Sequence, residues 1–293
     1  MKLSLYNFRI GGFLLLEINL KKFGLEDSIH GKMMFPINDS VIGLCLREFG
    51  EFSENENILL GNFINKKDFI IDIGANIGTQ TLSFSDKVGP NGQVIAFEPQ
   101  NIISQCLQTN LTINDIDNVK VYNMGVSSDD GWARINDEKY SKEGRYGEAG
   151  IQKKGSLIKV IKLNSLKLKK CDLIKMDVEG HEWNIISGGQ NFIKEHNPII
   201  YLEAKKNEGT KKFLKWFMDN GWICYWHFAW WFRKNNFKNN KNIKFLGKGD
   251  MNVLAVPKER RQPDFLPVIQ KFDESWNQES YANFFIKNKI EVI

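Results

Sequence analysis

From residue 69 onward, short apolar runs alternate with stretches whose apolar residues recur at helical spacing. Phe69-Ile70-Ile71 leads into Asp72-Ile73-Gly74-Ala75-Asn76-Ile77-Gly78-Thr79, and a helical pattern runs from Thr79 to Lys87. Val94-Ile95-Ala96-Phe97 follows and ends at Glu98-Pro99; Asn101 to Asn114 then carries Ile103, Leu107 and Leu111 on one helical face. Val119 to Met124, Leu173 to Met176 and Ile199 to Leu202 read as further strands, with helices predicted to about Glu195 and from Lys211 to Asp219. Trp222 to Trp226 and Asn252 to Val256 complete the series. Alternation of this kind predicts an α/β protein with a parallel sheet and helices on both faces.

The flanks are less regular. Residues 1–50 hold β-like pieces, among them Met33-Met34-Phe35-Pro36, and read as a lead-in that packs on a main domain spanning 51–258. Ser53 with Glu56 three residues on makes a capping box, predicting a helix to about Ile64 that carries Ile58, Leu59, Phe63 and Ile64 inward. The glycine-rich stretch Gly131 to Gly155 breaks the pattern and reads as a flexible insertion over the site, with Val160 to Leu163 as a short strand after it. Residues 259–293 form an aromatic, charged tail. No internal repeat is visible.

A buried strand, a glycine turn, a helix and an acid at the tip of the next strand make a nucleotide pocket, the first half of a Rossmann-like fold. The glycines admit a ligand close to the backbone, and Glu98 can accept both ribose hydroxyl protons. NAD and S-adenosylmethionine both use this geometry. In the dinucleotide fingerprint a second glycine lets pyrophosphate rest on the helix N-terminus. Here Asn76 stands at that position, and Asp72 at the strand end would repel phosphate. The same carboxylate suits a ligand bearing a sulfonium and an ammonium, so charge matching favours S-adenosylmethionine. The plainer account of Asp72 is a turn cap through backbone N–H groups.

With 293 residues, 42% hydrophobic and 26% charged, the chain reads as an ordinary globular protein. Cys45, Cys106, Cys171 and Cys224 are far apart without C-x-x-C pairing, which argues against a zinc site or disulfide framework and for free thiols. No signal peptide is evident, and Phe13 to Leu16, broken by Glu17, is too short for a membrane span, so a cytoplasmic protein is expected. The net charge of +5 is uneven: eleven basic against two acidic residues fall between Lys205 and Lys248, leaving the rest net acidic.

Asp72-Ile-Gly-Ala-Asn-Ile-Gly78, Ala96-Phe97-Glu98-Pro99 and Leu173-Ile-Lys-Met-Asp177-Val-Glu-Gly180, in this order, resemble the FkbM family of S-adenosylmethionine-dependent O-methyltransferases. Gly50-Glu51-Phe52-Ser53-Glu54 and Met251 to Pro257 resemble extended members too, so the likeness covers about residues 33 to 258. The resemblance implies the class I methyltransferase Rossmann-like three-layer sandwich, with a seven-stranded mostly parallel sheet whose last strand is antiparallel. It also implies methyl transfer to a hydroxyl, often of a sugar, glycolipid or polyketide.

In open α/β sheets ligands sit beyond the carboxyl ends of the strands, where Asp72, Glu98, Asp177 and Glu203 all fall. Asp72, Gly74, Ala75 and Gly78 are expected to cradle the methionine moiety, Asn76 and Thr79 to contact the donor, Glu98 with Pro99 to hold the ribose, and Gly125 to Ser127 to border the adenine. Methyl transfer needs an aligned acceptor oxygen and a base for its proton. Asp177 is the first candidate, then His181, with Glu179 beside them. Such a cluster would also suit Mg²⁺ or Ca²⁺ holding a hydroxyl pair, but the favoured assignment has no metal. Glu182 reads as a helix N-terminal acid.

The basic segment carries Trp216, Trp222, Trp226, Trp230 and Trp231, with Phe228, Phe232 and Phe237 among them and Lys234, Lys238, Lys241 and Lys244 after. Trp216, Phe217 and Trp222 read as core, and Asn235 to Lys244 as a solvated loop. His227 to Phe232 reads as a wall for a hydroxyl-bearing, carbohydrate acceptor. A nucleic-acid methyltransferase or binder using residues 205–248 is the alternative. It is disfavoured because Asp177-Val-Glu-Gly lacks the Asn/Asp-Pro-Pro-Tyr type of tetrapeptide common in base-amino methyltransferases.

Overall fold

The lead-in to the main sheet contains two hairpins and two short helices. The computed structural model describes residues 7–10, 13–17, 22–136, 142–148, 150–241, 247–274 and 276–288. Antiparallel pairs form between β1 (Asn7–Ile10) and β2 (Phe13–Glu17), and between β3 (Phe23–Ser28) and β4 (Gly31–Pro36). Helices α1 (Ile42–Phe49) and α2 (Glu54–Gly61) follow. The helix α1 departs from the β-like reading of residues 1–50: Ile42, Cys45, Leu46 and Phe49 fall on one face and are buried, with Phe49 stacked on Phe232 at 3.8 Å.

The predicted alternation then appears as β5 (Phe69–Ile73), α3 (Thr79–Val88), β6 (Gln93–Phe97), α4 (Asn101–Ile113) and β7 (Val119–Tyr122). After an interruption come β8 (Gly125–Val126), β9 (Gly131–Ile135), β10 (Ile151–Gln152) and β11 (Ser156–Ile161). The chain closes with β12 (Leu173–Met176), α5 (Glu182–His196), β13 (Ile199–Glu203), α6 (Glu208–Asp219), β14 (Trp222–Trp230), β15 (Gly249–Pro257) and α7 (Gln278–Asn288).

Seven strands form the central sheet in the order β14-β15-β13-β12-β5-β6-β7. From β13 to β7 every pair is parallel, and β15 runs antiparallel to both neighbours. This is the expected seven-stranded, mostly parallel sheet with an antiparallel last strand. β12 and the last four residues of β5 and β6 are buried throughout, which explains why they are apolar but for Lys175 and Asp72. Each such Ile, Leu or Val contributes roughly 1.5–3 kcal/mol through burial. The register sets Lys175 of β12 directly opposite Asp72 of β5, placing the one lysine of an apolar strand beside the one acid of its neighbour.

Three local expectations are corrected. Ser53 does not cap α2 through its side chain: it sits at φ +48 and donates its N–H to the Trp231 carbonyl at 2.8 Å. Glu56 is therefore not reaching back to a cap. The helix buries Leu59 and Leu60, with Ile58, Phe63 and Ile64 half-buried. The stretch 131–155, read as flexible, contributes to a second sheet, order β10-β9-β11-β8, around a small core of Ile135, Ile158 and Val160. Residues 137–141 and 149 of it lie outside the described residues. β14 also runs four residues past Trp226, because β15 pairs with it as far as Trp230.

Trp222 and Phe217 are core and Trp216 packs against them, as expected. In the tail, α7 lays Tyr281 and Phe285 into the main core beside Phe228. All four cysteines are free and buried. Among the described residues, no helix is long and apolar enough to cross a membrane.

The link between the lead-in and the end of β14 is electrostatic. Glu51, whose side chain is wholly buried, accepts from Arg233 Nε, Nη2 and backbone N at 2.8–3.0 Å and from Phe237 N at 3.1 Å. A carboxylate so enclosed depends on its partner. Arg233→Met is expected to destabilise the fold by about 3 kcal/mol, read as a lower urea midpoint; a change below about 1 kcal/mol would refute the importance of the pair.

Candidate active site

A cavity of about 220 Å³ opens at the C-terminal rim of the parallel strands, between the glycine turn after β5, the ends of β12 and β13, α2 and the second sheet. The turn needs the left-handed backbone: Gly74, Asn76 and Gly78 have φ of +78, +50 and +98. A Cβ on Gly74 would stand 1.9 Å from the Asp177 carbonyl oxygen, so glycine is what lets the ends of β5 and β12 lie together. Asn76 Oδ1 accepts from the next backbone N–H, Ile77, at 2.8 Å.

Glu98 is fixed from below. Its carboxylate accepts from Asn76 N at 3.0 Å and Gln100 N at 2.8 Å, and burial pushes it up to about 7. Each oxygen keeps a further lone pair for a ligand hydroxyl. Asp72 is placed differently. It is fully buried, accepts from Thr81 Oγ1 at 2.6 Å, lies 4.0 Å from Lys175 Nζ, and does not line the cavity. Burial raises its pKa against the pull of Lys175.

Lys175 lines the cavity floor, 3% exposed, and reaches Asp177 Oδ2 at 3.4 Å. Burial opposes its charge, but Asp177, Asp72 and Glu56 together hold the ammonium above its ordinary value. Asp177, in contrast, is 45% exposed at the rim. The next residues turn sharply, Glu179 at φ +57 and Gly180 at φ +91, so that Glu179 meets Lys205. Lys205 also lies 3.5 Å from Glu203, whose carboxyl is pushed up to about 9 by burial and by Asp177 and Glu179. Carboxylate oxygens of Asp177, Glu179 and Glu203 lie within 4.8 Å of one another, a spacing that suits a cation, and Lys205 supplies one to Glu179 and Glu203.

His181 stands at the start of α5, its Nε2 2.9 Å from Ser127 Oγ, and burial lowers its pKa, so it is neutral at pH 7. Glu182 accepts from Gly180 N at 3.1 Å and serves the turn.

Of the residues singled out in the sequence, Gly74, Asn76, Thr79, Glu98, Pro99, Gly125, Asp177, Glu179 and His181 line the cavity; Ala75, Gly78 and Ser127, like Asp72, stand behind it. Within His227 to Phe232 only Trp231 reaches it. His227 is buried against the Tyr201 hydroxyl at 2.7 Å, and Phe228 and Phe232 are core, because β14 and β15 carry this run inside. Sequence reasoning missed Glu56, Gln80, Lys175, Lys205, Asp250 and Asn252, all of which line the cavity. For Lys175 the signal was a charge inside an apolar strand; for Glu56 it was a first helical turn, Glu54 to Asn57, made wholly of polar residues.

The Methyltransferase FkbM domain model matches residues 72–230, from the acid of β5 to the end of β14. The chain belongs to the FkbM methyltransferase family. Its sheet has the class I methyltransferase arrangement. It is similar to methyltransferase sdnD of Sordaria araneosa, 29% identical over 41% of this chain and 60% of that protein. Among solved structures it is similar to methyltransferase FkbM from Methylobacillus flagellatus (17% identical, TM-score 0.44, 66% of this chain and 44% of that one). An S-adenosylmethionine-dependent O-methyltransferase from Thermotoga maritima also matches (14% identical, TM-score 0.46, 82% and 79%). This FkbM-family chain thus spans less than two thirds of the Sordaria araneosa relative and of the Methylobacillus chain.

The charge on Glu98 gives a pH test. Its folded value of about 7 lies above the ordinary 4.5, so between these values the folded state holds a proton the unfolded chain has released. Stability therefore falls as pH rises through this window. Glu98→Gln, without ligand, is expected to be more stable than the parent above about pH 8, by about 1–3 kcal/mol. The difference should vanish near pH 4.5; urea midpoints whose difference does not change with pH would contradict it.

Proposed function

We propose that this chain transfers the methyl group of S-adenosylmethionine to a hydroxyl of a sugar or similar polyhydroxylated acceptor, with Asp177 taking the hydroxyl proton. The observation that carries this reading is one cavity joining a buried, backbone-anchored acid beside a glycine turn, Glu98 after β6, to a rim-exposed acid, Asp177 after β12, on the other side of β5. The donor set fits the cofactor. Glu98, Glu56 and Asp177 would oppose a pyrophosphate, whereas a diol with a sulfonium and an ammonium finds acceptors and counter-charge. Glu98 would hold the ribose hydroxyls, Gly74, Asn76 and Thr79 the methionine portion, and Pro99 and Gly125 the adenine edge. When bound, S-adenosylmethionine supplies a methyl carbon made electrophilic by its sulfonium.

The chain's own groups then orient the acceptor. Asp177 accepts the proton of the attacking hydroxyl, and the Lys175 ammonium at 3.4 Å steadies that carboxylate. Glu179, Glu203 and Lys205, with Asn252 across the β13–β15 register, offer acceptors and donors to neighbouring hydroxyls, which supports a polyhydroxylated substrate. His181, neutral and engaged by Ser127, is the second proton acceptor in reach of the cavity.

The basic segment lends little support to a nucleic-acid acceptor. Lys205, Arg233 and Lys238 are paired with Glu179, Glu51 and Glu26, and Lys211 and Lys215 with acids of their own helix. Lys244 lies outside the described residues. Four buried free thiols support a reducing compartment such as the cytoplasm.

Isothermal titration with S-adenosylhomocysteine should give saturable heat on the folded wild type. Asp177→Asn is expected to bind it within about threefold yet to lower methyl incorporation into glycan extracts by about 10²-fold or more. Glycans should gain one CH₂ unit by mass spectrometry. Absence of binding by folded protein, or label appearing in RNA instead of glycan, would overturn the reading.

A further inference from the structure

Helix α2 is polar from Glu54 to Asn57 yet all four residues are buried, an arrangement that requires a partner for each. Two nearby acids have basic side chains as partners. Glu51 is clamped by Arg233, and Glu54 lies 2.7 Å from His30 Nε2 with Asn57 donating at 2.9 Å. Glu56 differs. Among the described residues its carboxylate receives one hydrogen bond, from Gln80 Nε2 at 3.3 Å, and has no cation within ion-pair distance. It is 5% exposed and, unlike Glu51 and Glu54, lines the cavity. Burial pushes it up to about 8; Lys175 pulls the other way, but that ammonium is already divided between Asp72 and Asp177.

The position of Glu56 relative to the glycine turn is informative. Glu98 holds one side of that turn through Asn76 N, while Glu56 reaches the other through Gln80, the second residue of α3. Gln80 in turn accepts from Thr79 Oγ1 at 2.6 Å. Two buried carboxylates thus flank one turn and face one cavity. A ligand with a vicinal diol at one end and an ammonium at the other would satisfy both. Asp72, the acid that the sequence offered for the cationic end, is turned away toward Thr81 and Lys175.

We propose that Glu56 receives the α-ammonium group at the amino-acid end of the bound methyl donor, making α2 part of the cofactor site. The inference rests on the S-adenosylmethionine reading and adds a residue outside the span 72–230 matched by the family. A carboxylate lacking a cation in the ligand-free protein then gains one on binding, and the buried polar helix acquires its purpose. A ligand without the amino-acid end has nothing to offer Glu56.

Two ligands separate the possibilities: S-adenosylhomocysteine, and 5′-methylthioadenosine, which keeps the nucleoside and thioether but lacks the amino acid. By calorimetry, Glu56→Gln should weaken S-adenosylhomocysteine by about ten- to a hundredfold, the range for a charged hydrogen bond, and change 5′-methylthioadenosine less than twofold. Glu98→Gln should weaken both. Equal loss of both ligands in Glu56→Gln, or loss of neither, overturns the role of Glu56 while leaving the cofactor reading intact. Wild type that binds neither ligand overturns the cofactor reading and this inference with it. Should Glu56→Gln fail to fold, Glu56→Asp keeps the charge and shortens its reach. It should show the same selective loss, and its absence overturns the proposal.

Discussion

The rim of this sheet is organised around one buried ammonium. Lys175 lies between the acid of β5 and the acid that follows β12, with Glu56 adding to the field it feels. Carboxylates in a site poor in water repel one another and resist ionisation. Lys175 offsets part of this for Asp72 and Glu56, whose carboxyls burial still raises, and it draws the Asp177 carboxylate to 3.4 Å. The parallel register between β5 and β12 makes the arrangement compulsory, since it sets Lys175 opposite Asp72 and nowhere else. Gly74 completes it: only a residue without a Cβ lets the Asp177 backbone approach so closely. Sheet register, turn geometry and charge balance are therefore one constraint.

A second cation, Lys205, repeats the device further out. It joins Glu179 to Glu203 and partly offsets the burial that lifts Glu203. The left-handed turn at Glu179 and Gly180 is what aims the first of these acids toward it. Such backbone conformations cost of order 1–3 kcal/mol at a non-glycine residue and persist where the surroundings impose them. Here the ion pair and the capping of Gly180 N by Glu182 supply that support.

The sequence made the main sheet readable for a physical reason: strands buried on both faces leave continuous apolar runs, and helices covering them leave a 3.6-residue period. What it hid depended on distant partners. The Ser53–Glu56 capping box is a sound local motif, but the Trp231 carbonyl captures the Ser53 N–H, and no window around residue 53 contains residue 231. The basic stretch looked like a surface for phosphates because a linear count cannot see Glu51, 182 residues from Arg233, or Glu26, 212 residues from Lys238. Asp72 was placed correctly at a strand end. Which way its side chain turned was decided by Lys175 and Thr81, neither of them in its own motif. Glu98 was easier to read, since its partners Asn76 and Gln100 sit on the turn and immediately after its own strand.

The same charge balance bears on how the proposed reaction would run. Any carboxylate is a weak base toward a sugar hydroxyl, and the Lys175 ammonium 3.4 Å from Asp177 fixes where that carboxylate stands. The advantage of the arrangement then lies in position. A rim acid held by a fully buried lysine on a rigid central strand has little freedom to move, and alignment of the acceptor oxygen is where an in-line displacement at carbon gains most of its rate. In the proposed reaction placement therefore counts for more than base strength. His181 at the cavity edge follows the same rule: burial lowers its proton affinity, and Ser127 Oγ, 2.9 Å from its Nε2, holds the ring in place.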